Sequence, residues 1–420
     1  MERYSALALL KHGLRGHRDW SRAWRSPELK PKYDVVVVGG GGHGLATAYY
    51  LAKNHGVSRV AVIERGWLGG GNTGRNTTIV RSNYFYPASA RLYDLALRLY
   101  EGLGRELNFN VMLSQRGMMF LAHSDHDLEM QTRSVNAMLV NGVHAEVLSP
   151  EQVRKRAPLL NFSAEARFPI HGGFVQDRGG VARHDAVAWG YARAASALGV
   201  DIFQGLDVTG FAIEGGPGGR RVSGVETARG TVRADAVAVA VSGSSSALMA
   251  RAGVRLPVTS YALQAMVSEP VKPVLDTVVL SPATGTYVSQ SDHGELVFGG
   301  GLDLYPSYAQ RGNLPPLQNV TAGLVEMFPC FSRLKMMRKW AGCVDVVHDS
   351  SPIIGPTPVE RLYLNCGWGT GGFKAIPAGG WLLAHVVATG EHHDISRPFD
   401  LDRFRTGALV DEAGAAGIPH

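Results

Sequence analysis

"YDVVVVGGGGHGLATAYYLAKNHGVSRVAVIERG", residues 33–66, decides the fold. Valines fill 35–38, an apolar β-branched run that reads as a buried strand over 33–38. A block of glycines follows, then a helical pattern over about 43–55 and a second strand ending at Glu64. The glycines fall as Gly39-x-Gly41-x-x-Gly44, with the acid twenty residues after the last of them. Glycine at those positions permits a tight turn, a close backbone approach to a pyrophosphate, and close helix–strand packing. The helix start offers free N–H groups and a positive dipole to phosphates. In this first turn Gly42 and His43 matter through their backbone donors, and Glu64 is placed to accept hydrogen bonds from ribose hydroxyls. The unit predicts a dinucleotide-binding β–turn–α–β fold.

The next segment separates the possible dinucleotides. "RGWLGGGNTGRNTTIVRSNY", 65–84, is a glycine-rich loop without a direct βαβ continuation. A nicotinamide domain would run straight into further β–α alternation, whereas flavoproteins of the glutathione-reductase type bring a second loop back over the cofactor. The pattern therefore predicts FAD. A helix over 87–107 and a strand over 117–123 come next, then a helix over 185–198 and strands over 200–204 and 207–213. A hairpin, a buried strand ending by Gly243, and a final strand–glycine loop–helix ("RLYLNCGWGTGGFKAIPAGGWLLAHVVATG") return the chain to the nucleotide domain. Alternating patterns in 113–177 and 257–336 predict an antiparallel sheet in a separate substrate domain. The expected architecture is α/β: a glutathione-reductase-type, Rossmann-like FAD-binding domain (33–112, 178–256 and 337–410) and an antiparallel-sheet substrate or interface domain. An N-terminal arm (1–32) and a C-terminal tail (411–420) flank them.

The composition is that of a globular protein: 420 residues, 45% hydrophobic, 19% charged, 52 glycines and a net charge of +6. The basic residues are dispersed and no nucleic-acid-binding signature occurs, so no nucleic-acid partner is expected. The long apolar run 34–52 is too glycine-rich for a membrane span, and the first 32 residues lack a signal-peptide core. "ALALLKHGLRGHRDWSRAW" suggests a short amphipathic helix, read as an arm on a neighbouring subunit, with a transit peptide as the alternative. Cys330, Cys343 and Cys366 form no CxxC pair, which predicts buried inert thiols in a cytoplasmic protein. The histidines lack ligand spacing, and no metal is assigned.

With these pieces placed, the sequence resembles the FAD-dependent amine oxidases of the D-amino-acid oxidase and sarcosine oxidase family. The shared pieces are the glycine motif with its acid, "TTIVRSNY" (77–84), Asp349 with the "SSPIIG" that follows it (350–355), and "GWGTGGFK" (367–374). "GGNTGRNTTIVRSNY", "SQRG", "ARHDAVAWGYARAA", "YVSQSDHGELVFGGGLD", "YAQRG" and "DEAGAAGIPH" are similar to the β-subunit branch of that family, found in heterotetrameric sarcosine oxidases.

That resemblance implies oxidation of sarcosine (N-methylglycine) at a noncovalent FAD. Electrons would pass to an FMN at the interface with the α subunit and then to oxygen. The products would be glycine, formaldehyde or methylene-tetrahydrofolate, and hydrogen peroxide. The implied partners are α, γ and δ subunits, with tetrahydrofolate and NAD on the α subunit. The branch attaches FMN through the first histidine of K-H-D-H; the matching residues here are R-H-D-A, which assigns the covalent link to His184 and leaves Ala186 at the second position. Arg81 matches the arginine that grips the substrate carboxylate, a task suited to a guanidinium fork. Lys374 matches a lysine beside the flavin and substrate. Tyr287 aligns with an active-site tyrosine of the monomeric enzymes, or is a core residue, and Gly301 stands where those enzymes have a histidine. Asn72, Arg75, Thr77 and Ile79 should fold over the pyrophosphate and ring; Val208 should meet the adenine; Gly369 and Gly372 belong to the loop before Lys374. Asp185 is expected as an ordinary N-cap. The alternatives are a stand-alone FAD-dependent D-amino-acid or proline dehydrogenase, which has no use for His184, and a noncatalytic assembly subunit.

Overall fold

The computed structural model describes residues 5–18, 22–215 and 219–410. The tail 411–420 lies outside them. Strand Lys32–Val38 sits in the middle of the first sheet, flanked in parallel by Val60–Glu64 and Gly230–Val239. The order from edge to edge is Ile353–Pro356, Leu362–Cys366, Gly230–Val239, Lys32–Val38, Val60–Glu64 and Asp201–Gln204. Strands Val208–Glu214 and Arg221–Thr227 extend it as an antiparallel hairpin on Gly230–Val239. Because the central strands are buried on both faces, they read as continuous apolar runs rather than as alternations.

Helices Gly42–His55, Pro87–Glu106, His184–Ala197 and Gly372–Thr389 cover one face and share a single core with it. Two of them touch through glycine: a Cβ on Gly380 would collide with Ala46, and one on Gly42 with Ile376. Gly372–Thr389 also carries an internal proline, Pro377, whose missing N–H frees the carbonyl of Phe373. The hydroxyl of buried Tyr100 donates to that carbonyl at 2.7 Å, so the orphan group is satisfied from a neighbouring helix.

The second sheet has eight strands in the order Met336–Val347, Val258–Pro270, Glu295–Pro306, Thr286–Gln290, Val278–Ser281, Met118–Ala122, Gly172–Gln176 and Glu146–Leu148. Two expectations are corrected here. The sheet is mixed, because Val278–Ser281 pairs in parallel with Met118–Ala122 where the chain's two contributions meet. Residues 337–347, expected with the first domain, form a long antiparallel ladder with Val258–Pro270 in the second sheet. Helices Asp125–Val140, Pro150–Arg156 and Leu314–Met327 had no counterpart in the sequence reading; Val320, Leu324 and Met327 of the last fill a core behind the sheet.

A two-stranded ribbon, Ile79–Val80 against Gly180–Val181, ties the segment before Arg81 to the segment before His184. The helix there begins at His184 with Arg183 as N-cap, one turn position earlier than expected. Asp185 is therefore inside the first turn, where its carboxylate accepts from Ala186 N–H at 2.8 Å and pairs with Arg183 at 2.6 Å. Cys343 and Cys366 are buried as expected, but Cys330 is exposed on a short turn after Leu314–Met327. No described helix is long and apolar enough to cross a membrane.

Candidate active site

A cavity of about 1210 Å³ runs between the glycine turn of the first sheet and the face of the second. At one end Glu64, Arg65, Trp67, Asp207, Val208 and Arg251 line it. Its middle is the backbone of Gly39, Gly41 and Gly42 with Asn72, Thr73 and Arg75 opposite. Its far end holds Thr77, Ile79, Arg81, Tyr287, Gly369, Gly372 and Lys374. Gly44 is not in the wall: a Cβ there would strike the carbonyl of Gly39, so this glycine closes the turn rather than meeting a ligand.

The residues present fit a bound dinucleotide. Glu64 accepts from Gly40 N–H through Oε2 and from Gly66 N–H through Oε1, each at 2.8 Å, which fixes its carboxylate at the cavity edge with lone pairs to spare. The Gly42 N–H of the helix start meets Thr73 Oγ1 at 2.9 Å. His43 Nε2 lies 2.9 Å from the carbonyl of Gly372, joining the glycine turn to the loop that carries Lys374. This contact requires the proton on Nε2, and burial holds the His43 pKa down at about 4, so the ring is neutral at pH 7. It stacks on Trp368 with centroids 4.6 Å apart.

The loop 72–76 is braced against the second sheet. Asn72 Nδ2 donates to Ser242 Oγ at 2.7 Å and to the carbonyl of Cys343 at 2.5 Å. Trp340 Nε1 donates to the Arg75 carbonyl at 2.7 Å, and the Arg75 guanidinium donates to Gly71 at 3.1 Å. Ser242 also donates to Asp345 at 3.2 Å, and Asp345 accepts from Gly367 N–H at 2.6 Å. Burial pushes Asp345 up to about 6. This carboxyl was missed in the sequence, since nothing local in "GCVDVVHD" separates it from a strand residue.

The far end is cationic. Arg81 and Lys374 are each 5% exposed, and neither forms an ion pair among the described residues. Arg81 Nη1 donates to Asn83 Oδ1 at 2.6 Å, and the guanidinium lies over the rings of Tyr84 and Phe120, 4.9 and 5.7 Å from their centroids. Lys374 Nζ donates to the Thr370 carbonyl at 2.9 Å. Burial, and then the charge of Arg81, drive its pKa well below the ordinary lysine value. Tyr287, half-buried, lines the same end; desolvation raises its phenol to about 12, and Thr77 Oγ1 donates to its oxygen at 3.2 Å. A protonated phenol in that bond keeps its own hydrogen free to donate. Two buried cations with neutral partners call for an anion.

The FAD dependent oxidoreductase family model matches residues 34–386. The chain belongs to that family. Within it, the chain is 52% identical over 420 residues to "Sarcosine oxidase subunit beta" of Rhodobacter capsulatus, covering 100% of both chains. It is 53% identical over 418 residues to the protein of that name from Rhizobium meliloti, covering 100% of this chain and 99% of the relative. Among solved structures, the L-proline dehydrogenase from P. horikoshii superposes with a TM-score of 0.84 at 27% identity, covering 91% of this chain and 100% of that one. The glycine oxidase from Geobacillus kaustophilus superposes with a TM-score of 0.78 at 22% identity, covering 89% and 99%, and shares the fold. The chain is thus an oxidoreductase of the FAD family, and the cavity where the glycine turn meets the second sheet is its candidate cofactor site.

His184 stands apart from this cavity. It opens its helix, is mostly buried, and its Nδ1 has no hydrogen-bond partner among the described residues. Burial lowers its pKa, which leaves the imidazole neutral at pH 7.

Proposed function

We propose that this chain is the β subunit of a cytoplasmic sarcosine oxidase, assembled with α, γ and δ subunits, and that it oxidises sarcosine at a noncovalent FAD. The supporting observation is the pair Arg81 and Lys374, both buried in the FAD-family cavity with only neutral partners. Gly39, Gly41, Gly42, His43, Glu64, Asn72, Arg75, Thr77, Ile79, Val208, Gly369 and Gly372 would hold the FAD, which supplies the two-electron acceptor. Arg81 would take the sarcosine carboxylate through its guanidinium fork, and Lys374 would add a second charge-assisted bond. The fixed guanidinium of Arg81 beside the bound substrate also lowers the pKa of its amine, which favours the neutral amine that oxidation requires. Tyr287, protonated at working pH, would donate to the substrate or to the ring edge. Loss of two electrons from the N-methyl group and hydrolysis of the resulting imine give glycine and formaldehyde, or methylene-tetrahydrofolate when the folate intervenes on the α subunit.

His184 suits a covalent bond to a second flavin: it is neutral, and its Nδ1 is unpartnered among the described residues. It lies outside the walls of the main cavity, so an FMN held there would be enclosed by the α subunit and would pass electrons to oxygen. Intact mass of the purified complex tests this. One FMN mass should be carried by this chain and lost in His184→Ala, while acid precipitation releases FAD from both. A wild-type complex carrying only releasable FAD refutes the two-flavin reading. The likeness to a proline dehydrogenase favours a second reading, a dehydrogenase working without FMN. Its signature would be turnover of proline with an artificial acceptor and no dependence on His184.

A further inference from the structure

The loop that brings Lys374 to the cavity cannot hold its shape alone. Gly367 and Gly369 both lie in the left-handed region, at φ +75° and +51°, and Gly371 N–H turns back to the Trp368 carbonyl at 2.7 Å. Only then does the helix Gly372–Thr389 begin, with Lys374 in its first turn. Glycine loses more backbone freedom on ordering than any other residue, so such a loop stays fixed only where other groups bond it.

Asp345 supplies those bonds. It is 1% exposed on strand Met336–Val347, it lines the cavity, and no step of the proposed oxidation uses it. Its Oδ2 accepts from Gly367 N–H at 2.6 Å, and its backbone carbonyl accepts from Gly369 N–H at 2.9 Å. Its Oδ1 accepts from Ser242 Oγ at 3.2 Å, and Asn72 Nδ2 holds Ser242 in turn at 2.7 Å. From the other side, His43 Nε2 donates to the Gly372 carbonyl at 2.9 Å. Between these anchors the loop presents the Thr370 carbonyl, to which Lys374 Nζ donates at 2.9 Å. An apolar side chain would be buried more favourably at 345, but it could accept none of these bonds.

We propose that Asp345 is a positioning residue for Lys374: its carboxyl fixes the loop at Gly367, and the loop fixes the ammonium through the Thr370 carbonyl. This rests on the reading of Lys374 as a ligand for the substrate carboxylate. Lys374 is shifted by burial and then by the charge of Arg81, and Asp345 is not among the groups that act on it. The titratable groups beside Asp345 are the thiols of Cys343 and Cys366, both raised by burial, and His43 at the helix start is neutral. An effect of Asp345 on the lysine must therefore pass through the loop.

The test is acetate titration of the FAD-loaded complex, followed by flavin absorbance across pH, in Asp345→Ala, Asp345→Leu and Asp345→Asn. Asparagine keeps an oxygen that can accept from Gly367 N–H; alanine and leucine keep none, and leucine fills the space. In the alanine and leucine variants acetate should bind about tenfold more weakly at low pH, the loss of one charge-assisted hydrogen bond. The pH at which acetate affinity falls should also rise toward the ordinary lysine value of 10.5, as the released ammonium leaves its buried seat. Asp345→Asn should restore both. A carboxyl with a merely structural role would lower the thermal midpoint and leave the acetate profile in place, which overturns the proposal. An asparagine variant that behaves like alanine also overturns it, because charge and not the hydrogen bond would then be acting. Failure of both the alanine and leucine variants to load FAD does the same, since the fold itself would then require the carboxyl. Acetate binding unchanged in Lys374→Met is a different failure: the reading of Lys374 itself falls, and the proposal with it.

Discussion

Replacing Asn83 by aspartate should disable the anion site without unfolding the protein. The Asn83 amide oxygen accepts from Arg81 Nη1 at 2.6 Å, and both residues are 5% exposed. An amide orients the guanidinium but leaves its charge for a ligand. A carboxylate of the same shape would take that charge: opposite charges about 4 Å apart attract by about 4 kcal/mol at an effective dielectric of about 20. An incoming carboxylate would then lose one charge-assisted hydrogen bond, about 1.5–3 kcal/mol. Its dissociation constant should rise about 10- to 100-fold. The assay is titration of the FAD-loaded enzyme with acetate, followed by flavin absorbance, beside the thermal midpoint of each variant. Asn83→Asp should melt no lower than wild type, since it gains an ion pair. Asn83→Ala keeps the charge, loses only the orienting bond, and should weaken acetate by about threefold. Acetate binding to Asn83→Asp within threefold of wild type would refute the claim that Arg81 is kept unpaired for a ligand.

Lys374 should impose a pH dependence on the same titration. Its pKa is held well below 10.5, and only its protonated form attracts an anion, so acetate should bind best at low pH and weaken as pH rises through that lowered value. Lys374→Met should bind weakly at every pH, and an unchanged pH profile in that variant would exclude the lysine. Asp345 carries a folded pKa near 6 against 3.8 unfolded, so its neutral form is the stable one: the contribution is complete below 3.8 and lost as pH rises through 6, about 3 kcal/mol in all. Asp345→Asn should flatten the urea stability between pH 4 and 7, and a wild-type slope there would point to another group. Arg403 bonds Asp349 at 2.7 and 2.9 Å and the Ser351 carbonyl at 2.8 Å, with side chains 3% and 1% exposed. Arg403→Ala strands the Asp349 carboxylate and should cost about 3–5 kcal/mol in urea unfolding; a loss below about 1 kcal/mol would show that water reaches the site.

Much of the cofactor half was legible because its signals are local. The turn after Val38 needs glycine where a Cβ would strike the backbone, and Glu64 must follow at the end of the next strand, so spacing along the chain is enough to find them. Asp185 shows the limit of such rules: capping residues are recognised by type, but the helix began one residue before it and Arg183 took the cap position. Cys330 shows another, since exposure of a residue on a short turn depends on what packs over it, not on its own character.

The chain by itself determined the strand–turn–helix units, the order in which they occur and the residue types offered to a dinucleotide. Only the tertiary structure decided that residues 337–347 join the second sheet and that Arg81 comes close enough to Lys374 to lower its pKa. It also set His184 outside the cavity walls and turned the leucines of Ala6–Leu14 toward solvent. The division has one physical cause. Periodicity, glycine spacing and chain direction act between neighbours along the backbone. Strand pairing, desolvation and charge proximity act between residues far apart along the chain, and their energies exist only once the chain has closed on itself.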